Sequence, residues 1–587
     1  MLTGNRPMSF AALDDKAIEA ALQQPLVPDE KGVFQLGIVL NGTVSAGAWT
    51  AGVLDYMTEA LDLWEAKKAE DLRRGGVPTV PDHELRIGVL GGASGGGVCA
   101  AIFARAAGWD FLHVSRADDP RNAQNPYWRV WVDGLDIAPM LKLDDVDRPG
   151  ETPVSLLSGA AIDAAGDVIL QWPGRGGTRR QRRWIADPLR VVLTLTNLRG
   201  IPYQIEFAPD GEGGGQSSFY VDHADHAIFA FPSGGAAPAG LRGDEHAVLD
   251  TASWQEFASY AKATGAFPGG FPARRLFRPA SDYRWRGVVL PGGAGEPAKI
   301  VLRKPAWDAF GPEFDREGLF EFECVDGGAL NNQPVELVRT ALSGLGGTNE
   351  RRPERADKAV LLLDPFAAVP RCETPAGTRD VLGVLGGLIS AWTDHGRLAT
   401  SDLLLAVQPE VFSRFLLTAS SDRGGERRHG GAALASSGLG AFLGFLRREL
   451  RAHDFMLGRE NCRLFLMNQF VLHKDNPVMR GFAARHPGVA SEFQPGERGP
   501  DWVPVVPVAE HLRAKQIVPA WPAGALDPAT LEHGIEARAG QVLRRLLEHH
   551  DLDIPLDKLV IDWLFARKLA NVAEAQIRGA LSKAGLG

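Results

Sequence analysis

The chain has 587 residues, with 63 Lys+Arg against 72 Asp+Glu and a net charge of −9. Apolar residues make up 45% and charged residues 23%, the composition of a globular protein long enough for several domain equivalents and a sizeable core. The acidic balance excludes a general nucleic-acid binder, which would carry a basic face.

Residues 1–33 form a polar, Pro-containing arm with one short helical stretch around Asp14 to Gln23. Its acidic residues interrupt any apolar core, so it does not read as a secretory signal. From Phe34 to Leu40 the sequence is nearly continuously apolar, as expected for a strand buried on both faces. The loop Asn41 to Gly47 follows. Trp49, Val53, Met57, Leu61 and Trp64 then recur at helical spacing and predict one buried stripe. Leu85 to Leu90 is a second apolar strand. It breaks into Gly91-Gly92-Ala93-Ser94-Gly95-Gly96-Gly97, and Val98, Cys99, Ile102 and Phe103 mark a second helix.

Strand, Gly loop and helix, repeated twice, is the grammar of a parallel α/β sheet. Further strands are expected at Arg190 to Leu195, Gly287 to Leu290, Leu319 to Val325 and Ala359 to Leu363. Beyond about Asp380 strands are expected to disappear. Leu382 to Leu405, Leu439 to Phe470 and Pro528 to Lys583 have helical spacing. The division is therefore an arm (1–33), an α/β region (34–370) and an α-helical region (371–587). The fold class is α/β, a three-layer and mostly parallel sheet flanked by helices, followed by helices. Four dispersed cysteines form no disulfide framework, and no run approaches the ~18–20 apolar residues of a membrane span. A cytoplasmic protein, at most peripheral to a membrane, is expected.

Gly92-Ala93-Ser94-Gly95-Gly96 has the form G-x-S-x-G between a strand and a helix. Such a nucleophile elbow pushes the serine outward at a helix N-terminus, where backbone N–H groups favour developing negative charge. The same pattern also serves as a plain tight turn. The Gly42 to Gly47 loop ends the preceding strand, and loops at the C-terminal ends of parallel strands share one edge of the sheet. No Lys-Ser/Thr pair follows either loop, which excludes a Walker phosphate loop, and neither gives a dinucleotide fingerprint. Asp326-Gly327-Gly328 closes the strand beginning at Leu319, where the Asp could approach Ser94 or simply open an Asp-Gly turn. His473, His549 and His550 are available to a His-dependent hydrolase but sit in no informative motif. Arg175, Arg179, Arg180, Arg182 and Arg183, between Trp172 and Trp184, read as a solvated loop that could also meet anionic lipid.

Together these residues resemble the patatin-like phospholipase family, which orders a Gly-rich oxyanion loop, G-x-S-x-G and a distant D-G-G/A. Thr194 to Gly200 and Ala263 to Pro272 are similar to two further segments of that family. The loop Asn41 to Trp49 and Asp454 to Asn461 resemble a bacterial subgroup with a helical C-terminal extension. The resemblance implies a serine lipid acyl hydrolase with no metal or cofactor. Its dyad would be Ser94 and Asp326, with Gly92 and Gly96 shaping the elbow and Gly327 and Gly328 completing the dyad motif. Backbone N–H groups of Gly42, Thr43 and Val44 would hold the oxyanion, and a lipid acyl ester would be the substrate. A carboxylate near its ordinary pKa is a weak base for a hydroxyl, so Asp326 would need a desolvated setting. The loop lacks two glycines and the basic residue of the family pattern, and β-branched Thr43 and Val44 disfavour positive φ. It must then follow a different path or impair the oxyanion site, and a non-catalytic lipid-binding or scaffolding protein is the alternative.

Overall fold

The computed structural model describes residues 14–147, 152–174, 176–206, 217–293, 298–367, 408, 410–496, 498–549 and 558–587. In chain order the strands are β1 (Val33–Leu40), β2 (Glu84–Gly92), β3 (Ile185–Glu206), β4 (Ser217–Phe231), β5 (Glu245–Ala247), β6 (Arg274–Pro279), β7 (Gly287–Leu290), β8 (Lys299–Leu302), β9 (Lys304–Pro305), β10 (Leu319–Asp326), β11 (Lys358–Leu363) and β12 (Arg414–Leu417), with four further short ones beyond among the described residues. The main sheet runs β12-β11-β1-β2-β3-β10-β6, with β4 and β9 also paired to β3. It is parallel from β12 through β3 and antiparallel from there to β6. The fold is thus α/β around a mixed sheet.

All eight residues of β1 are buried, because helices cover both faces. Helix α1 (Asp15–Gln23) lies in the arm, and Ile38 and Leu40 point into the larger core with α2 (Gly47–Arg74) and α3 (Gly95–Ala106). Val39 points the other way, onto Val335, Val338 and Leu342 of the helix Val335–Ser343. The period-2 alternation of a strand thus feeds two apolar layers, and a continuous apolar run is the result.

One register positions the site. β4 occupies one edge of β3 from Leu189 onward, so β2 and β10 must share the other edge. β2 runs parallel to β3 and ends with Gly92 opposite Leu193; β10 comes antiparallel and ends with Asp326 opposite Leu195. Partners two residues apart on β3 lie about 7 Å apart. The C-terminal ends of β2 and β10 therefore meet.

Several expectations need correction. β7 is not part of the main sheet but pairs only with β8, in a hairpin whose Val288, Val289 and Leu290 are exposed. The α2 helix is buried nearly all round over its first half rather than along one stripe. A second helix, Arg448–Asn468, covers its other side, with Gly52 against the Phe455 carbonyl and Gly458 against the Trp49 carbonyl. Asp55 and Glu59 of α2 both pair with buried Arg459. Strands do not disappear beyond Asp380: β12 extends the main sheet across residue 370, and two small antiparallel strand pairs follow. The Leu439 to Phe470 stretch is broken by positive φ at Leu439 and Gly440 and by extended Arg447. Pro528 to Lys583 holds two helices, Ala529–His549 and Lys558–Ala584. Leu382 to Leu405 lies outside the described residues. Among those described, no helix is long and apolar enough to cross a membrane.

The Arg-rich loop also has an internal task. Arg182 is buried on Asp62, with Nη2 2.9 Å from Oδ2, and Trp184 Nε1 donates to the same carboxylate. Arg179 stacks on Trp109, and Arg180 pairs with Asp110. The loop leads into the start of β3, at the opposite end of the sheet from Ser94.

Candidate active site

Ser94 caps α3 with φ 50° and ψ −129°. A non-Gly residue with positive φ costs on the order of 1–3 kcal/mol and persists only where its surroundings enforce it. Here the enforcement is local. The Ser94 N–H donates to Thr264 Oγ1 at 3.0 Å, and the two elbow glycines allow the helix to fold back tightly. A Cβ at Gly92 would come within 2.6 Å of the Gly97 Cα, and one at Gly96 would run into the Leu40 and Asn41 carbonyls.

The Ser94 hydroxyl donates to Asp326 Oδ2 at 2.6 Å. The other carboxylate oxygen, Oδ1, accepts the Gly328 N–H at 2.7 Å. The Asp326 backbone is held at both ends: its N–H donates to the Ala266 carbonyl at 2.9 Å, and its carbonyl accepts from Thr196 Oγ1 at 2.8 Å. Gly327 passes so close to the Thr194 carbonyl that no side chain fits there. Both residues of the pair are buried. Burial pushes the Asp326 carboxyl up to about 7, against the opposing hydrogen bonds from Ser94 and Gly328. The desolvated setting that the sequence calls for is present.

The loop after β1 lies against the elbow. A Cβ on Gly42 would sit 3.1 Å from the Ser94 Cβ, and one on Gly95 would sit 2.6 Å from Thr43 Oγ1. Val44 absorbs the strain, with φ 49°, whereas Thr43 stays at φ −133°. The loop thus follows a path of its own, tightening into a short 3-10 turn over Val44–Ala46. Of the three expected donors, Gly42 is already engaged, since its N–H donates to the Asn332 carbonyl at 3.3 Å. The N–H groups of Thr43, Val44 and Gly95 have no backbone acceptor among the described residues. The Thr43 hydroxyl is also buried without a partner there. The C-terminal region braces this loop: the Ser45 hydroxyl donates to the Ala441 carbonyl, and Trp49 Nε1 donates to Asn461 Oδ1 at 2.9 Å.

Ser94 opens on an apolar pocket lined by Val44, Trp131, Ile162, Phe267, Phe271 and Phe445, among others. Lys262 is the one charged side chain among the described lining residues. Among the described residues no histidine bonds to Ser94 or Asp326. His473 lies against Trp502 and His549 bonds Thr152 Oγ1, while His550 lies outside the described residues. Cys99, Cys324 and Cys462 are buried, with thiols that burial pushes up, so none is poised as a nucleophile.

Sequence reasoning missed Thr264, Thr196, Asn332 and the Gly95 N–H. The first two lie within Ala263 to Pro272 and Thr194 to Gly200, but nothing in their local pattern announces a hydrogen bond to the elbow or to Asp326. What remains is a serine hydroxyl bonded to a carboxylate of raised basicity, beside free N–H groups and an apolar cleft. Such a set can form and break an acyl ester on serine.

No protein-family model matches the chain. It is 31% identical over 562 residues, 88% of its length and 76% of the relative's, to the uncharacterized protein y4iI of Sinorhizobium fredii (strain NBRC 101917 / NGR234). With that identity and coverage, the chain belongs to the same family as y4iI.

Proposed function

We propose that the protein is a serine-dependent acyl hydrolase of patatin-like type, acting on lipid acyl esters through a Ser94–Asp326 dyad. The observation that carries this reading is the 2.6 Å hydrogen bond from Ser94 to a buried carboxylate at the wall of an apolar pocket. Asp326 takes the hydroxyl proton as Ser94 attacks the ester carbonyl. The tetrahedral oxyanion is held by the N–H groups of Gly95, Thr43 and Val44, and the alcohol leaves with the proton that Asp326 returns. Water then enters and attacks the acyl carbonyl, giving a proton to Asp326; Asp326 passes it to the Ser94 oxygen as the acyl–oxygen bond breaks and the fatty acid leaves. The acyl chain occupies the apolar pocket.

A fluorophosphonate probe tests this directly. Wild-type protein should be labelled, and Ser94→Ala should not; absent labelling of well-folded wild type would favour the non-catalytic lipid-binding alternative. A p-nitrophenyl ester series should show a preference for longer acyl chains up to the depth of the pocket.

The pH dependence follows from the burial of Asp326. Only its ionised form accepts the serine proton, and its carboxyl titrates at about 7. The kcat/KM of a soluble ester should therefore rise through pH 6–8 with an apparent pKa near 7 and then level off. A profile already flat from pH 5 upward would contradict a buried, raised carboxylate.

A further inference from the structure

We infer that the pocket mouth is a docking surface for a phospholipid bilayer carrying anionic lipid, anchored by Val154 and Leu156. This deepens the hydrolase reading and rests on it for the identity of the pocket. The segment carrying these residues inverts the usual pattern. Ser155 is buried with its hydroxyl on the Leu157 carbonyl at 2.6 Å, while Val154 and Leu156 on either side are 68% and 61% exposed. The exposure does not come from a loosely held backbone. The N–H groups of Leu156 and Leu157 donate to the Gly269 and Gly270 carbonyls, both at 2.9 Å, and that of Ser158 to the Met140 carbonyl at 2.8 Å. Buried Arg538 holds the Leu156 carbonyl at 3.0 Å from the other side.

Those backbone partners tie the segment to the pocket. Gly269 and Gly270 lie between Phe267 and Phe271, which line it, and Met140 lines it as well. Phe267 is itself 38% exposed. The outward apolar residues thus continue the lining of the cleft past its rim, unlike singly scattered surface apolar residues, which need no explanation.

Charge at the rim selects the occupant. Lys262 and Arg274 share one carboxylate, Asp163, at 3.2 and 3.1 Å. Two cations on one anion make this side of the rim locally positive, while on the other side Arg538 is paired with Asp145. An apolar tip flanked by cations matches the layering of a bilayer surface, with acyl chains below and phosphates above. Seated this way, the pocket opens onto lipid, and an acyl chain can pass into it without crossing water.

The test pairs two readouts on the double variant Val154→Asp/Leu156→Asp. In co-sedimentation with phosphatidylcholine vesicles doped with phosphatidylglycerol, the variant should bind at least about tenfold more weakly than wild type. Turnover of p-nitrophenyl butyrate, a soluble monomeric ester, should stay within about twofold, since both side chains face solvent. Equal vesicle binding by variant and wild type, or no binding by wild type, overturns the inference. Failure of the hydrolase reading is distinguishable: it would abolish labelling and soluble-ester turnover in the wild type while leaving the difference in vesicle binding in place.

Discussion

Asp326→Asn is expected to lower turnover by about 10³–10⁴-fold while making the folded protein more stable above neutral pH. Asn preserves the shape of the side chain but cannot take the Ser94 proton, so the general-base contribution disappears. The stability gain has the opposite origin. In the fold the carboxyl titrates at about 7, because burial opposes its charge; in the unfolded chain it titrates near its ordinary value. The folded state therefore binds this proton more tightly. Stability contributed at this site is full below about pH 4, falls as pH rises toward 7, and is flat above. At about 1.4 kcal/mol per pH unit, the buried charge costs up to about 4 kcal/mol at pH 8. Asn carries no such charge, so thermal unfolding should show a higher Tm for the variant at pH 8 and a much smaller difference at pH 5. A variant that kept most of its turnover would remove Asp326 from the chemistry. A Tm difference independent of pH would show that the carboxylate is not destabilised by burial.

The parts of the fold that sequence reading recovers are those with a clear apolar pattern. β1, β2 and β11 stand out as nearly continuous apolar runs, and β10 because Phe320, Phe322 and Cys324 alternate with Glu321 and Glu323. β4 and β6 escape notice for the opposite reason. β4 carries Asp222, His223, Asp225 and His226, and β6 contributes Arg275 and Arg278, so both look like surface. Yet Asp225 and Arg278 are buried against each other at 3.1 Å, and Arg286 and Tyr283 also meet Asp225. Polar residues that satisfy one another across strands leave no trace in a hydropathy pattern. β12 is four residues long and its partner lies some 50 residues earlier, which no local signal encodes. At the site, Ser94 and Asp326 are legible because each sits in a Gly motif forced by backbone crowding. Their meeting depends on the register of β2 and β10 along one edge of β3, and the C-terminal bracing of the oxyanion loop depends on contacts almost 400 residues apart.

Crowding at the elbow makes Gly96→Ala the second large effect. The added methyl group would be directed into the carbonyl oxygens of Leu40 and Asn41. Neither can retreat freely, because Leu40 is paired on one side with Gly92 and on the other with Leu363. Either α3 shifts away from β1 or the end of β1 moves, and both displace the oxyanion loop relative to Ser94. Overpacking against fixed backbone should cost about 3 kcal/mol, seen as a lowered midpoint in denaturant. Turnover should fall by more than about tenfold even at temperatures where the variant is fully folded, since small misplacements of reacting groups are costly. Gly488→Ala is the matched control: a Cβ there meets nothing within 4 Å, and the residue lies in the helix Pro487–Glu492, so stability and turnover should be unchanged or slightly improved. If Gly96→Ala behaved like that control, the elbow would be loose enough to admit a side chain. The strained serine would then owe its conformation to something other than the crossing of α3 over the end of β1.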